Sequence, residues 1–218
     1  PFSLPFCIAA SSSARETPMT ETHPLEPTSP YAAAKAGADR LLSSYIITYA
    51  LPAVIVRPFN NFGPRQHLEK VIPRFITSCL LDEPLTIHGE GHAARDWVYV
   101  QDTVDALEAI LLADAAQVDG QIFNIATDRA VSVIEIARQI DDAFDQKRNF
   151  VHTEDRNAQV DLHHGSGKKL EDVLGFTPSC SFEDGLRETI AWYRENVEHW
   201  KPQIPMRRVP VKMKNGEI

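Results

Sequence analysis

The segment Ser29-Pro30-Tyr31-Ala32-Ala33-Ala34-Lys35 constrains the fold more than any other part of the sequence. Pro30 disfavours helix at the residue before it, and the alanines after it favour helix, so a helix should begin here. Apolar side chains continue the helical spacing to Tyr49, at Leu41, Leu42, Tyr45, Ile46 and Tyr49. The β-branched run 51–57 then predicts a strand that is buried on both faces, as in a parallel α/β sheet.

Tyr31 and Lys35 are four residues apart, which places both side chains on one face of the predicted helix. A phenol with a pKa of ~10 and an ammonium with a pKa of ~10.4 are each poor proton carriers at neutral pH. A neighbouring cation favours the phenolate, so Lys35 should lower the pKa of Tyr31 and make it a usable acid or base. The alternative is a chance pair, because Tyr and Lys often occur four residues apart on helices.

Composition and charge exclude several classes of function. The 218 residues suffice for one domain or one and a half, and a net charge of −8 argues against a nucleic-acid-binding surface. No apolar run approaches the ~18 residues that a membrane span requires, so we expect no membrane partner. The three cysteines are far apart, which predicts neither a metal site nor a disulfide framework and indicates a reducing, cytoplasmic compartment; they are Cys7, Cys79 and Cys180.

A second motif is the run Arg95-Asp96-Trp97-Val98-Tyr99-Val100-Gln101-Asp102. The planar fork of donors on Arg95 matches the oxygens of a diphosphate. The alternative is an ion pair between Arg95 and Asp96, but adjacent residues face each other poorly. Asp102 is predicted to cap a helix from Thr103 to Leu112.

Local cap signals predict two more helices. Ser132 and Glu135 have the spacing of a capping box, so a helix should follow Ser132. Lys168 to Leu174 should form a short helix that Gly175 ends.

Three further stretches extend the pattern around Tyr31 and Lys35. They are Ala10-Ser11-Ser12-Ser13-Ala14 upstream, Arg57-Pro58-Phe59-Asn60-Asn61-Phe62-Gly63-Pro64 downstream, and Gln121-Ile122-Phe123-Asn124-Ile125-Ala126. With these motifs the chain resembles the extended short-chain dehydrogenase/reductases, specifically the NAD-dependent nucleotide-sugar epimerases and dehydratases. The resemblance implies the C-terminal part of a Rossmann-like, doubly wound parallel sheet plus a smaller mixed α/β substrate-binding lobe.

The resemblance also implies a division of the chain. Residues 1–64 would be the remaining part of the NAD-binding domain, and residues 65–200 mainly the nucleotide-sugar lobe, partly interleaved with the sheet. Residues 201–218 would be a loosely held tail. Two copies would form a homodimer through the helix 31–49.

The site residues follow from the resemblance, position by position. Tyr31, Lys35 and Ser13 would be catalytic, with Ser12 as the alternative to Ser13. Tyr31, Lys35 and Pro58 would contact the cofactor, NAD. The nucleotide-diphosphate sugar would contact Asn60, Lys70, Val71, Thr86, His88, Arg95, Asn124 and Arg156. No residue is expected to bind a metal.

The resembled family contains two reactions. Epimerases oxidise a sugar hydroxyl transiently and reduce the ketone from its other face. Dehydratases carry an Asp-Glu pair directly after the serine, whereas Ala14 and Arg15 stand there in this chain, which favours an epimerase and leaves a 4,6-dehydratase as the alternative. The glycine-rich NAD turn is missing from the sequence, which begins with Pro1, so we expect a C-terminal portion; a non-catalytic nucleotide-sugar-binding remnant is a further alternative.

Overall fold

The computed structural model describes residues 4–5, 17–145, 150–155, 160–207, 212–213 and 216–217. The helices in these ranges are α1 Pro30–Tyr49, α2 Val71–Leu80, α3 Val100–Leu112, α4 Ala115–Val118, α5 Val133–Ala143, α6 Lys168–Leu174, α7 Phe182–Glu195 and α8 Val197–Trp200, followed by a 3-10 helix, Lys201–Arg207. The strands are β1 Leu4–Pro5, β2 Ile55–Pro58, β3 Asn60–Phe62, β4 Leu85–His88, β5 Ala94–Tyr99, β6 Ile122–Ile125, β7 Ala130–Ser132, β8 Phe150–Thr153, β9 Leu162–His163, β10 Lys212–Met213 and β11 Gly216–Glu217.

The first sheet is parallel and has the order β1-β2-β6. Its helices lie on opposite faces because successive side chains of a strand point in opposite directions. Ile55 contacts the α1 side with Leu42, whereas Val56 belongs to the cluster that contains Ala106 and Ile110 of α3. The predicted α/β class with a parallel sheet is therefore confirmed.

A second, mixed group of strands forms beside this sheet. β5 pairs in parallel with β3 and β9 and in antiparallel with β7, and β4 pairs in parallel with β8. Its core includes large side chains of α2, α5, α7 and α8, among them Phe75, Ile136, Ile140, Tyr193 and Trp200. Because β6 pairs with β2 in the first sheet, the chain crosses between the two groups more than once, and the predicted boundary at residue 64 stays a prediction.

Helix α1 begins and ends close to the predicted positions. The Ser29 hydroxyl accepts a hydrogen bond from the backbone N–H of Ala32 at 3.2 Å, and Pro30 occupies the first turn. The apolar side chains of α1 divide into two groups. Leu42 is buried and Ile46 half-buried against the first sheet, whereas Leu41, Tyr45 and Tyr49 are exposed.

The start of α3 differs from the prediction. The helix begins at Val100 rather than at Thr103, and Asp102 lies inside its first turn instead of capping it. The Asp102 carboxylate is buried and accepts hydrogen bonds from the backbone N–H groups of Ser179 and Cys180. Sequence could not reveal this contact, because Asp102 and its partners are far apart in the chain.

Residues 201–207 of the predicted tail form a 3-10 helix that contacts α2. The Arg207 guanidinium donates to the Glu83 carboxylate at 2.7 Å and to the backbone carbonyl of Arg74 at 3.3 Å. Among the residues that the structure describes, no helix is both long and apolar enough to cross a membrane.

Candidate active site

Tyr31 and Lys35 lie on the first two turns of α1, where the sequence placed them. The Tyr31 side chain is 60% exposed and therefore does not point into packed side chains. The Lys35 Nζ lies 5.9 Å from the centroid of the Tyr31 ring. Within the described ranges no carboxylate forms an ion pair with Lys35, so its ammonium is available to a ligand.

The carboxyl ends of β2 and β6 bring together two further predicted residues. Pro58 ends β2 and is buried, and it pairs with Ile125 in β6. Asn124 is also buried; its side-chain Nδ2 donates to the carbonyl of Met19 at 3.0 Å. Ligands of parallel sheets bind beyond the carboxyl ends of the strands, which is where these residues lie.

Asn60, Lys70 and Val71 follow β2 in the chain. Asn60 begins β3, two residues beyond Pro58, and is half-buried. Lys70 is exposed, precedes α2 directly and forms an ion pair with Glu69 at 3.0 Å, while Val71 begins the helix.

Thr86 and His88 lie on one face of β4. The buried residues of this strand are Leu85 and Ile87, so Thr86 and His88 point away from the core and are half-buried. The His88 Nδ1 lies 3.0 Å from the Thr153 hydroxyl of the neighbouring strand β8. Both residues remain accessible for the predicted contact with a nucleotide base.

Arg95 lies near the start of β5 and is half-buried. Burial lowers the pKa of its guanidinium, and the Asp161 carboxylate opposes that shift. The Asp96 carboxylate accepts hydrogen bonds from the Thr127 backbone N–H at 2.9 Å and hydroxyl at 2.8 Å. The alternative ion pair between Arg95 and Asp96 is therefore not the arrangement that forms.

The remaining predicted site residues lie outside the described part of the chain. They are Ser13, its alternative Ser12, and Arg156. Their contacts with Tyr31 and with a diphosphate stay predictions.

A buried ion pair between α1 and β2 was not anticipated from the sequence. Asp39, on α1, is completely buried, and Arg57, on β2, is 7% exposed. The Arg57 Nε donates to Asp39 Oδ2 at 2.9 Å, and its Nη2 donates to Asp39 Oδ1 at 3.1 Å. The third arm, Nη1, donates to the Glu21 carbonyl at 2.8 Å. The only signal in the sequence is that Asp39 continues the four-residue spacing of Tyr31 and Lys35.

A cavity adjoins this ion pair and contains about 300 Å³ of empty space, part of it open to solvent. Its described lining consists of Met19, Thr20, His23, Leu25, Arg57, Phe59, Asn124 and His163. The guanidinium among these residues belongs to Arg57, whereas Arg95 contacts the region through the backbone pairing of β5 with His163. Imidazole and amide groups can hydrogen-bond the hydroxyl and carbonyl groups of a polar ligand, whereas each nitrogen of the Arg57 guanidinium already donates to Asp39 or to Glu21.

His163 is a buried histidine without a hydrogen-bond partner on Nε2 in the described structure. Its ring packs on Phe59, with the ring centroids 4.7 Å apart. Burial lowers its pKa to about 4, with further lowering by Arg95 and His23. His163 is therefore neutral at physiological pH and can donate or accept one hydrogen bond there.

The pKa of Asp96 is shifted in the opposite direction to that of His163. Burial raises its pKa to about 6, although the two hydrogen bonds from Thr127 favour the carboxylate. Its Oδ2 has no hydrogen-bond partner among the described residues.

In those ranges no group of three or more His, Cys, Asp or Glu side chains could hold a metal ion.

The shifts of Asp96 and His163 predict opposite effects of pH on stability. Asp96 binds its proton more tightly in the folded than in the unfolded chain. Its contribution to the free energy of unfolding therefore falls as the pH rises from about 4 to about 6. His163 binds its proton less tightly in the folded than in the unfolded chain. Its contribution to the free energy of unfolding therefore falls as the pH drops from about 6.5 to about 4. We expect the gain in free energy of unfolding that Asp96→Asn gives over wild type to be larger at pH 6 than at pH 4, by about 2 kcal/mol.

Urea denaturation at a series of pH values between 4 and 7 measures this difference. His163→Gln is the matched control, because its free energy of unfolding relative to wild type should change with pH in the opposite direction. Differences that are independent of pH for both variants would contradict the assignment.

Comparison with known proteins identifies the fold family. The profile of the family described as GDP-mannose 4,6 dehydratase matches residues 6–189. The chain belongs to the NAD-dependent epimerase/dehydratase family. It is 36% identical to a dTDP-glucose 4,6-dehydratase of Streptomyces niveus over 183 residues, which cover 84% of this chain and 54% of that protein.

Two solved structures of this family have the same fold. One is a dTDP-glucose 4,6-dehydratase from Bacillus anthracis in complex with NAD, with a TM-score of 0.85, 31% identity and coverage of 92% of this chain and 64% of that one. The other is a UDP-glucose 4-epimerase from Thermotoga maritima with UDP-glucose, with a TM-score of 0.83, 27% identity and coverage of 90% and 64%. The chain spans about half the length of the curated relatives that it matches, 55% and 54% for the first two.

Proposed function

We propose that this chain is the C-terminal portion of an NAD-dependent enzyme that oxidises a nucleotide-diphosphate sugar to a keto-sugar. The observation that carries this proposal is the accessible Tyr31–Lys35 pair at the start of α1, in a chain of the epimerase/dehydratase family. Its relatives are named as dehydratases and epimerases, and both reactions begin with this oxidation. The partner that we propose for this chain is a nucleotide-diphosphate sugar.

Tyr31 would take the proton from the sugar hydroxyl that is oxidised. Lys35, one turn away, would stabilise the phenolate and hold a ribose hydroxyl of the cofactor. When bound, NAD supplies the acceptor for the two electrons that leave the sugar carbon. Two features of the chain fit the cofactor: the ammonium of Lys35 is free of ion pairs in the described structure, and Pro58 ends β2 where parallel sheets bind ligands.

The substrate-binding residues are proposed from the resemblance and from their accessibility. Lys70 is exposed, and Arg95 is half-buried with a delocalised positive charge, so both can neutralise a diphosphate. Thr86 and His88, on the outer face of β4, would border the base. Asn60, Val71, Asn124 and Arg156 would complete the site, with Ser13 sharing the hydrogen bond of the reacting hydroxyl.

Two candidates for the second half of the reaction each have an observation in their favour. Ala14 and Arg15 stand where dehydratases have their Asp-Glu pair, which favours reduction of the rotated ketone, that is, epimerisation. The family profile and the Streptomyces niveus relative carry dehydratase names, which favours loss of water to a 4-keto-6-deoxy sugar.

Product analysis with the complete natural protein tests both candidates. The protein is incubated with UDP-glucose and, separately, with dTDP-glucose, and the sugars are followed by NMR. Epimerisation yields an isomer of unchanged mass, and dehydration yields a keto-sugar lighter by one water. If neither product forms and no NAD(H) copurifies at one per chain, the proposal is contradicted and a non-catalytic binding protein is favoured.

We further propose that the exposed face of α1 forms a homodimer in the cytoplasm, where the widely spaced cysteines would stay reduced. Leu41, Tyr45 and Tyr49 follow one another at four-residue spacing and are 60%, 48% and 71% exposed.

We expect Leu41→Glu to convert a dimer into a monomer, measured by light scattering, because a charge cannot be buried unpaired in an apolar interface. Val151→Glu, on an exposed strand, should leave the mass unchanged; an identical mass for all three proteins at monomer size would contradict the dimer.

A further inference from the structure

Few residues of α1 are packed against the rest of the protein, although this helix carries the two proposed catalytic side chains. Of its 20 residues, the buried ones in the described structure are Ala32, Asp39 and Leu42. Ala32 and Leu42 make apolar contacts, which are non-directional and leave the rotation of the helix about its axis weakly defined. Asp39, by contrast, forms hydrogen bonds with Arg57, and these have a defined direction.

The contact between Asp39 and Arg57 has directional bonds at both ends. Two nitrogens of the Arg57 fork bond two different oxygens of Asp39, and the third nitrogen bonds the Glu21 carbonyl. The segment that contains Glu21 is held in turn, because the Glu21 Oε1 accepts from the Asn124 backbone N–H at 2.9 Å. Arg57 therefore ties α1 to β2, to the 19–21 segment and to the carboxyl end of β6.

Asp39 lies on the same helix as the reacting pair, on the side that is turned towards the protein interior. Tyr31, Lys35 and Asp39 are separated by four residues each, so successive side chains are turned by about 40° around the axis, from the exposed Tyr31 to the buried Asp39, over about 12 Å. A rotation of α1 that moved Tyr31 sideways would also break the bidentate pair.

We propose that Asp39 and Arg57 are a positioning pair, which fixes the orientation of α1 and thereby directs Tyr31 and Lys35 at the substrate. This inference rests on the proposed function for its catalytic consequence, but its structural part is independent of it. In this proposal both residues act through the position of Tyr31 and not by contact with the sugar.

The test uses the double variant Asp39→Asn/Arg57→Gln in the complete natural protein. Arg40 also donates to Asp39 but its side chain is largely exposed, so removing both charges leaves no unpaired ion in the interior. We therefore expect the variant to keep its fold while losing the bidentate pair. The matched control is Arg129→Gln/Glu183→Gln, which removes a second bidentate pair, with side chains 49% and 44% exposed. We expect kcat of the first variant to fall by about 100-fold, with KM for the nucleotide-diphosphate sugar changed less than about twofold, and kcat of the control to stay at the wild-type value.

A second readout does not depend on activity. The five tyrosines of this chain are labelled with 3-fluorotyrosine, and the Tyr31 signal is assigned by its loss in Tyr31→Phe. The fluorine resonance of Tyr31 should shift in the first double variant and not in the control. An unshifted Tyr31 resonance in the first variant, or a kcat equal to that of the control, would overturn the positioning proposal.

The two proposals can fail separately. If the wild-type protein turns over no nucleotide-diphosphate sugar, the proposed function fails, and the fluorine resonance alone decides whether Asp39 and Arg57 orient Tyr31. If wild type is active and the first double variant matches it in kcat, the positioning proposal fails and the proposed function stands.

Discussion

Replacing Tyr31 with Phe in the complete natural protein is expected to lower kcat by about 100- to 10,000-fold, the usual contribution of a general acid or base. The substitution removes one oxygen from a side chain that is 60% exposed, so the fold should be unaffected. The phenylalanine ring cannot accept the proton of the sugar hydroxyl, and no other described group on this face of α1 replaces it. Initial rates of product formation measure the effect.

Tyr49→Phe is the matched control for this experiment. It makes the same chemical change on the same helix, at a side chain that is 71% exposed and lies five turns from Tyr31. KM for the nucleotide-diphosphate sugar should be similar in all three proteins, because the diphosphate contacts lie elsewhere. A Tyr31→Phe protein that retained the wild-type rate would show that the proposed base is wrong.

Replacing Asp39 with Ala is expected to lower the free energy of unfolding of this chain by about 3–5 kcal/mol. Asp39 is completely buried and Arg57 nearly so, and the substitution leaves the guanidinium inside without a counter-charge. The bond from Arg57 to the Glu21 carbonyl satisfies one of its donors but cannot neutralise its charge. Urea denaturation at pH 7, followed by circular dichroism, measures the change.

Glu183→Ala provides the comparison, because Glu183 also forms a bidentate pair with Arg129, with bonds of 2.8 and 2.6 Å, at the surface. Water solvates the remaining arginine there, so we expect a loss of at most about 1 kcal/mol. Equal losses for Asp39→Ala and Glu183→Ala would contradict the view that the Asp39–Arg57 pair anchors α1.

Local chemistry made much of the secondary structure predictable. The boundaries of α1 follow from Ser29 and Pro30, and the Ser132 hydroxyl caps α5 as the capping box predicted. Gly175 ends α6 with a positive φ of 67°, which a residue without a side chain adopts readily. The strand predicted over 51–57 forms only over Ile55–Pro58, and every residue of it is buried, as the prediction required.

Long-range contacts decided what these signals could not. Asp102 looked like a helix cap because serine and aspartate often precede helices, but its partners are Ser179 and Cys180, which sequence periodicity does not locate. Likewise, only the pairing of β4 with β8 fixed which neighbours His88 contacts.

The sequence by itself determined the family, the α/β class and the placement of Tyr31 and Lys35 one turn apart, because these depend on neighbours within a few residues. Only the tertiary structure revealed the Asp39–Arg57 pair, the partnerless Nε2 of His163 and the raised pKa of Asp96. Burial and ion pairing depend on which distant segments meet, and that is settled by the packing of the whole chain rather than by local preference.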